Sequence, residues 1–311
     1  MGFTIYQAGS GSKVCQEEIK KLGCNQLLSQ LNERKAVMDW VQYKREHPES
    51  KSKLFIDSGA FSAHTKGKHV DVDEYINLMN EIDDAVYIFA QVDTIPGEFG
   101  KPKTPEQLAE APKLSWDNYL YMVERVKSRD KLLPIFHQGE DFKWLHNMLE
   151  YRHADGKPIW YIGISPANDV STALKAQWLI EVFRIIKSSS NPNVCTHAFG
   201  MTSLNLLEQF PFTSADSTSW IMTAANGGVM TAGGNITTSD RQLDSPDHIY
   251  NKSKAKLDDT KQYVKKFGFE LEDLVSDPDN RTLFNLRYLK DWADNYQYRG
   301  NNYYKKKLID F

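Results

Sequence analysis

The stretch "KLFIDSGAF" (residues 53–61) is an apolar, β-rich run that stops at an acid, Asp57, and then turns through small residues. The same arrangement recurs along the chain, where further apolar runs end in an acid or amide followed by Thr, Gly or Ser, at Asp93, Gln138 and Asp216. Longer amphipathic stretches separate these runs, which is typical of a parallel α/β sheet. The pattern therefore predicts alternating strands and helices with polar groups at the strand ends.

Eight strands, each followed by a crossover, favour a closed (β/α)8 TIM barrel, with a doubly wound open sheet as the alternative. The predicted strands are residues 3–7, 53–57, 86–93, 132–138, 160–165, 194–199, 212–216 and, with a weaker pattern, 228–233. A TIM barrel takes roughly 250 residues. We therefore expect a barrel domain over residues 1–245 and a C-terminal helical, basic and aromatic extension over 246–311, packed on the barrel and lacking a zinc subdomain.

Composition limits the classes of protein that fit. The 311 residues are 41% hydrophobic and 25% charged, as in soluble globular proteins. The net charge of -3 means that nucleic acid would have to be bound by a local basic patch. Three scattered cysteines, Cys15, Cys24 and Cys195, indicate a reducing compartment without a structural zinc site. With neither a leader pattern nor a long apolar run, we expect a cytoplasmic protein, in the host cytoplasm if phage-encoded, with no membrane partner.

The strand-end residues predict a site. In a barrel the carboxyl ends of the strands meet at one mouth, so Asp57, Asp93, Gln138 and Asp216 should converge. Any one of these aspartates could be a helix N-cap, but converging carboxylates repel one another unless a ligand compensates. Two carboxylates suit displacement at a glycosidic carbon, where one attacks and the other moves protons. A further acid and an amide suit the polar edge of guanine, and Phe61 can stack on a base.

The segments "DSGAF", "QVD", "HQGE", "IGIS" and "SADS", in this order at predicted strand ends, resemble the tRNA-guanine transglycosylases over residues 50–220. The resemblance implies a TIM-barrel enzyme, needing neither cofactor nor metal, that exchanges guanine in a polynucleotide for a 7-deazaguanine base. It implies Asp216 as the nucleophile and Asp57 as the general acid/base. The base pocket that it implies consists of Ser58, Phe61, Asp93, Gln138, Gly139 and Gly163.

The chain also departs from the tRNA enzymes. Ala60 replaces the usual second glycine of the first motif, "STSW" follows Asp216 where a Thr-Arg segment is common, and "IGISP" lacks a following Glu. No cysteine follows Cys195, so the C-terminal zinc site of the tRNA enzymes is missing. These departures favour the phage- and island-encoded DNA-modifying relatives, often called DpdA, which insert 7-deazaguanines such as 7-cyano-7-deazaguanine into DNA.

Three other functions stay open at this point: base exchange on tRNA, a catalytically silent nucleic-acid-binding subunit, and carbohydrate hydrolysis. The presence of both Asp57 and Asp216 counts against a silent subunit. Strand ends carrying Asp, Gln and Ser instead of stacking aromatics count against a carbohydrate hydrolase. The protein acts alone, as a homodimer or with a partner protein; the sequence is compatible with each.

Contacts to the nucleic-acid backbone are expected from the basic and aromatic C-terminal segment, although lysine-bearing helices are more often simply solvated. The candidate backbone contacts are Lys261, Lys265, Arg299 and Lys305. The histidines on predicted strands, His137 and His197, are expected to be core residues. His64 and His69 are expected in a surface loop over the site.

Overall fold

The computed structural model describes residues 2–167, 169–201 and 203–300. Nine short segments form one parallel sheet: β1 (Thr4–Ala8), β2 (Asn25–Ser29), β3 (Leu54–Asp57), β4 (Ile88–Ala90), β5 (Leu132–Leu133), β6 (Ile135–His137), β7 (Tyr161–Ser165), β8 (Cys195–Ala198) and β9 (Ser214–Ser217). They pair in the order β5, β4, β3, β2, β1, β9, β8, β7, β6. Because only Pro134 separates β5 from β6, these two segments are halves of one strand, and the sheet closes there into a barrel of eight strands.

The predicted (β/α)8 barrel is therefore confirmed. One predicted strand does not belong to the barrel, however, and one strand of the barrel was not predicted. The missed strand is β2, whose sequence "NQLLS" carries too few apolar residues to stand out. Its buried Gln26 is tolerated because the side-chain amide donates to the main-chain oxygens of Gln7 (2.6 Å) and Gly9 (2.8 Å). The predicted strand at 228–233 is not in the barrel. Only Gly228–Val229 (β10) is extended, and it pairs antiparallel with Ile236–Thr237 (β11).

Two layers of apolar side chains build the core. The inside of the barrel is filled mainly by aromatic and aliphatic residues, including Tyr6, Leu27, Phe55, Ile88, Leu133 and Tyr161. The larger layer lies between the strands and the surrounding helices, where Trp40 and Trp220 are almost fully buried. A barrel packed in this way holds its strand ends rigidly, so side chains at the mouth have fixed positions.

Helices follow the strands as the alternating pattern predicts. They are α1 (Lys13–Lys21), α2 (Arg34–Glu46), α3 (Ala60–Thr65), α4 (Val72–Ile82), α5 (Pro105–Val123), α6 (Lys143–Glu150), α7 (Thr172–Ser188), α8 (Leu204–Gln209), α9 (Ser219–Ala225), α10 (Lys254–Lys266), α11 (Leu271–Ser276) and α12 (Pro278–Asp294). None of the helices in the described parts of the chain is both long and apolar enough to cross a membrane.

The last helix, α12, packs directly on the barrel. It lies against α9, α1 and β1, and its buried Asn285 joins it to α9 and to the residue after β10, donating to Trp220 O (3.2 Å) and accepting from Met230 N (2.7 Å). Near its end, Trp292 donates to Glu208 of α8 (3.1 Å). α12 thus occupies the place between α8 and α1 where the eighth helix of a barrel lies. The domain boundary predicted at residue 245 stays a prediction, but α12, which follows it, packs on the barrel.

Candidate functional site

The residues predicted to form the site lie at the carboxyl-end mouth of the barrel. Asp57 is the last residue of β3, Gln138 directly follows β6, and Asp216 lies in β9. Asp93 comes three residues after the end of β4. Asp93 and Asp216 both contribute to raising the pKa of Asp57, so the three carboxyl groups are close enough to interact. The structure therefore brings together the acids that the sequence places on three separate strands.

Asp216 is buried, with a relative exposure of 6%, and is held by two donors. Its Oδ1 accepts from the backbone N–H of Gly200 (2.8 Å) and from His197 Nε2 (3.3 Å). Both donors stabilise negative charge on this oxygen and fix the plane of the carboxylate. Because both bonds go to Oδ1, Oδ2 is the oxygen available to a reacting atom.

A buried chain of hydrogen bonds orients His197. Its Nδ1 lies 2.6 Å from Ser214 Oγ, which in turn bonds the hydroxyl of Tyr161. If His197 Nε2–H donates to Asp216, Nδ1 must accept from Ser214, and Ser214 then accepts from Tyr161, so every group in the chain is satisfied. Burial lowers the pKa of His197, and the bond to Asp216 only partly opposes this. His197 is therefore a neutral donor to Asp216.

Asp57 has a different environment. Its Oδ2 accepts one bond, from the backbone N–H of Gly59 (2.9 Å). Burial raises the pKa of the Asp57 carboxyl to about 7, outweighing the Gly59 bond, and the neighbouring acids add to the rise. A carboxyl group with this pKa exchanges protons readily at neutral pH, which is the property that a general acid/base requires.

The turn after Asp57 depends on Gly59, which has a φ of +82° and precedes α3. A Cβ at this position would lie 2.6 Å from Leu31 Cβ and 2.8 Å from Ser29 Oγ, so no other residue fits without displacement. Ser58 is buried and its carbonyl accepts from Gln30 Nε2 (3.0 Å). This first glycine of the motif is therefore required by the backbone, while Ala60 is accommodated at the start of α3.

Asp93 is clamped by an amide and a histidine. Gln91 Nε2 donates to its Oδ1 (2.7 Å), and His137 Nε2 lies 3.2 Å from its Oδ2. The other ring nitrogen of His137 bonds Glu140 (3.1 Å). Burial alone would lower the pKa of His137, but the carboxylates of Asp93 and Glu140 outweigh burial and raise it to about 10. His137 is thus a cation at neutral pH and neutralises part of the negative charge of the mouth.

A cavity of about 510 Å³ opens beside His137 and Glu140, and its lining does not include Asp57, Asp93 or Asp216. Its lining includes His137, Gln138, Phe61 and Phe99, and the two phenylalanine rings are mostly exposed, at 58% and 61%. Gln138 Oε1 accepts from Ala167 N (3.1 Å), which leaves its amide N–H groups for a ligand. A cavity of this volume, with flat apolar walls and a few directed polar groups, is of the size that holds small planar ligands.

The two glycines predicted for the base pocket, Gly139 and Gly163, lie in different parts of the barrel. Gly139 is exposed, lines the cavity and has a φ of +104° in the turn after β6. Gly163 is buried in the middle of β7, and a Cβ there would lie 2.5 Å from Phe199 and 2.9 Å from Leu133. The absence of a side chain at Gly163 therefore allows Phe199 to pack against the strand.

The predicted nucleic-acid contacts on α10 are paired with acids. Lys261 lies 3.3 Å from Glu272 and Lys265 lies 3.2 Å from Glu270. Arg299 pairs with Glu208 (3.2 Å) at the end of α8. Lys305 lies outside the described residues. Ion pairs of this kind reduce the positive charge that α10 offers to a phosphate backbone, although they are weak at the surface.

The described residues contain no group of three or more His, Cys, Asp or Glu side chains that could hold a metal ion. The three cysteines are free thiols; Cys15 and Cys24 are buried and Cys195 is partly buried.

The sequence did not identify three elements of the site. The hydrogen-bonding roles of Gly200, which is exposed, and of Ser214, which is buried, carry no motif of their own. His137 was expected to be a core residue, whereas its side chain is partly exposed in the cavity and bridges two acids. The contact between His137 and Glu140 could have been predicted from their spacing of three residues across a turn that directly follows a strand. His197 is a core residue as expected, but it also contacts Asp216.

Comparison with known proteins gives little further information. No family model matches the chain, and no curated protein matches its sequence. Among solved structures, the chain is similar to a psychrophilic glycoside hydrolase family 10 endo-β-1,4-xylanase, with a TM-score of 0.40 and 12% sequence identity over 70% of this chain and 86% of that one. A likeness this distant carries no argument about activity, so the functional interpretation depends on the geometry of the mouth.

Proposed function

We propose that the protein is a base-exchange transglycosylase that replaces guanine in DNA with a 7-deazaguanine such as 7-cyano-7-deazaguanine. One observation carries the proposal: two aspartates at the same mouth have unlike surroundings. Asp216 is held by two N–H donors, and burial gives Asp57 a pKa of about 7. Pairs of carboxyl groups whose environments differ in this way divide the roles of nucleophile and proton carrier.

In the first step Asp216 Oδ2 attacks C1′ of the target nucleotide. The bond between C1′ and N9 of guanine breaks as an ester bond forms between C1′ and Asp216, through an oxocarbenium-like transition state. Protonated Asp57 gives its proton to the departing guanine. The bonds from Gly200 and His197 keep Asp216 Oδ1 in place, so that Oδ2 faces the sugar.

In the second step the incoming base takes the place of guanine. Asp57, now ionised, removes the N9 proton of the 7-deazaguanine, N9 attacks C1′, and the ester to Asp216 breaks. Asp57 and Asp216 return to their starting protonation states, so no net proton is consumed. One carboxyl with a pKa of about 7 can serve in both directions because it is neither a strong acid nor a strong base at neutral pH.

The polar edge of the base is assigned to Gln138, which lines the 510 Å³ cavity, and to Asp93, which lines an adjoining cavity of about 200 Å³. Each oxygen of Asp93 already accepts one bond, and each retains a lone pair for an N–H of the base. The free amide N–H of Gln138 suits a base carbonyl, and Phe61 offers a ring for stacking. This arrangement supports a flat heterocycle that presents both donors and an acceptor.

The nucleic acid in this proposal is DNA, following the resemblance of the sequence to the DNA-modifying relatives. A base in duplex DNA must leave the stack before C1′ can be attacked, at a cost of a few kcal/mol. Base exchange on tRNA would use the same two aspartates, so an experiment has to distinguish DNA from tRNA as the substrate.

The proposal is tested by measuring base exchange. The protein is incubated with guanine-containing DNA or with tRNA in the presence of 7-cyano-7-deazaguanine, and the digested nucleosides are analysed by mass spectrometry. We expect the deazaguanine nucleoside in DNA only, with none formed by Asp216→Asn or Asp57→Asn. Exchange in tRNA only would move the protein to the tRNA enzymes, and normal exchange by either variant would refute the role assigned to that residue.

A further inference from the structure

A group of positive side chains lies at the edge of the mouth. The loop between α3 and α4 carries Lys66 and Lys68, both exposed, with His64 and His69 beside them. Lys103, in the loop before α5, is near enough to His64 to help lower its pKa, after the larger effect of burial, and His69 acts in the same direction. His64 and Lys103 also line the same cavity, so the two loops meet at this edge of the mouth.

These charges are not neutralised locally. No carboxylate among the described residues forms an ion pair with Lys66, Lys68 or Lys103, and Lys66 donates to the neutral amide of Asn32 (2.8 Å). The acids of the same loops are otherwise engaged: Asp71 caps α4, and Glu98 pairs with Lys101. Unpaired like charges held together on a surface favour an anionic ligand.

The position of the group relates it to the proposed base pocket. Lys103 and His64 line the 510 Å³ cavity together with Phe61. Lys68 and His69 line an adjoining cavity of about 200 Å³ that reaches Asp93. Lys68 and Lys103 therefore lie beside the groups assigned to the base, and Lys66 is two residues from Lys68 on the same loop; these three lysines are called the positive edge.

We propose that Lys66, Lys68 and Lys103 bind the phosphodiester backbone of the DNA strand that flanks the extruded base. This inference rests on the proposed function, and it assigns the backbone contacts to the mouth instead of to α10. Phosphates next to the target nucleotide would lie within reach of these lysines when the base is in the cavity, and their attraction offsets part of the cost of unstacking. The exposed ring of Phe99 on the same loop as Lys103 is available to stack on a neighbouring base.

The test compares two double variants that each remove two positive charges. One is Lys66→Gln with Lys68→Gln at the mouth, and the control is Lys261→Gln with Lys265→Gln on α10, where both lysines are ion-paired. Binding of the full chain to a fluorescein-labelled duplex DNA is measured by fluorescence anisotropy over a range of salt concentrations. Circular dichroism checks that both variants are folded.

We expect the mouth variant to lose affinity by about tenfold or more at low salt, and the slope of log affinity against log salt to fall by about 2, one for each phosphate contact. The control should bind DNA like the unchanged protein. Equal effects of the two double variants, an unchanged slope for the mouth variant, or binding of tRNA but not DNA would overturn the inference.

The outcome is separable from that of the proposed function because binding is measured without chemistry. Binding that depends on Lys66 and Lys68 while no base is exchanged would refute the exchange activity and leave the backbone contact in place. Base exchange that is unaffected by these substitutions, with unchanged binding, would refute the backbone contact and leave the activity in place.

Discussion

Asp57 and Asp216 have the same side chain but different hydrogen bonds. Asp216 accepts N–H bonds from Gly200 and His197 on one oxygen, whereas Asp57 accepts a single bond and lies among other acids. The strand patterns in the sequence predict the positions of both aspartates. They do not predict that the surroundings of the two carboxyl groups differ. The distinction depends on which groups the barrel places around each carboxyl, and Gly200 and Ser214 have no local signal that would reveal this.

The raised pKa of Asp57 predicts a dependence of stability on pH. The folded protein holds this proton up to about pH 7, while the unfolded chain releases it near 3.8, so the free energy of unfolding should fall as pH rises through this window. A carboxyl whose pKa changes from 3.8 to about 7 on folding contributes about 4 kcal/mol when it is fully shielded from water, and because Asp57 is only partly buried we expect roughly 1–3 kcal/mol.

Asp57→Asn removes this effect because the amide does not ionise. The variant should therefore be more stable than the unchanged protein at pH 8, with a difference that shrinks towards pH 4, as measured by urea unfolding. The same difference in unfolding free energy at both pH values would show that burial does not raise the pKa of Asp57.

The hydrogen-bonded chain behind Asp216 predicts an effect of Ser214→Ala. This change removes the donor to His197 Nδ1, so the imidazole loses its fixed tautomer and Asp216 loses part of its orientation. Loss of one such bond corresponds to about 0.5–1.5 kcal/mol, or a covalent step slower by roughly two- to thirteenfold. Ser217→Ala is the matched control, since Ser217 is buried on the same strand but bonds Ser219. Equal rates for the two variants would contradict the positioning role of Ser214.

At the scale of elements, the prediction from sequence worked best where a strand is continuously apolar. β3 and β7 match the expected residues closely, because "LFID" and "YIGIS" carry aliphatic and aromatic residues. β2 was missed because its polar Gln26 interrupts the apolar pattern, and the main-chain oxygens that satisfy it, such as Gln7 O and Gly9 O, are brought to it only by the fold. The strand at 132–138 was predicted as one run, and the structure divides it at Pro134, where the pairing changes from β4 to β7 and Pro134 O accepts from Gly163 N of β7 (2.7 Å).

The turn between β3 and α3 predicts a strong effect of Gly59→Ala. A Cβ would clash with Leu31 and Ser29, and the positive φ adds about 1–2 kcal/mol, so we expect a loss of roughly 2–4 kcal/mol in unfolding free energy. Because Asp57 bonds Gly59 N, base exchange should also fall.

Gly67→Ala separates the cost of the positive φ from the cost of the steric clash. Gly67 has a similar positive φ (+63°), but a Cβ there meets nothing within 4 Å, so this variant should lose only the backbone contribution. Thermal and urea unfolding of both variants measure the difference. An equally small loss for Gly59→Ala would show that the turn adapts to a side chain.

At the scale of the whole molecule, the packing of α12 predicts that the barrel and its C-terminal helices unfold together. Leu289 of α12 is fully buried, so Leu289→Ala should cost about 2–5 kcal/mol and shift a single unfolding transition. Leu174→Ala, at a half-exposed leucine of α7, is the matched control and should have little effect. Tryptophan fluorescence and far-UV circular dichroism should give coincident transitions. A separate earlier transition in Leu289→Ala would show that the barrel is stable without α12.

The central claim is that Asp216 forms a covalent bond to C1′ of a guanosine nucleotide, and the most direct measurement is to trap that bond. The protein is incubated with guanine-containing DNA, denatured and digested, and the modified peptide is identified by mass spectrometry. We predict a denaturation-resistant adduct on the peptide that contains Asp216, absent from Asp216→Asn and formed more slowly by Asp57→Asn. An adduct on another residue, or none under conditions in which base exchange occurs, would contradict the mechanism.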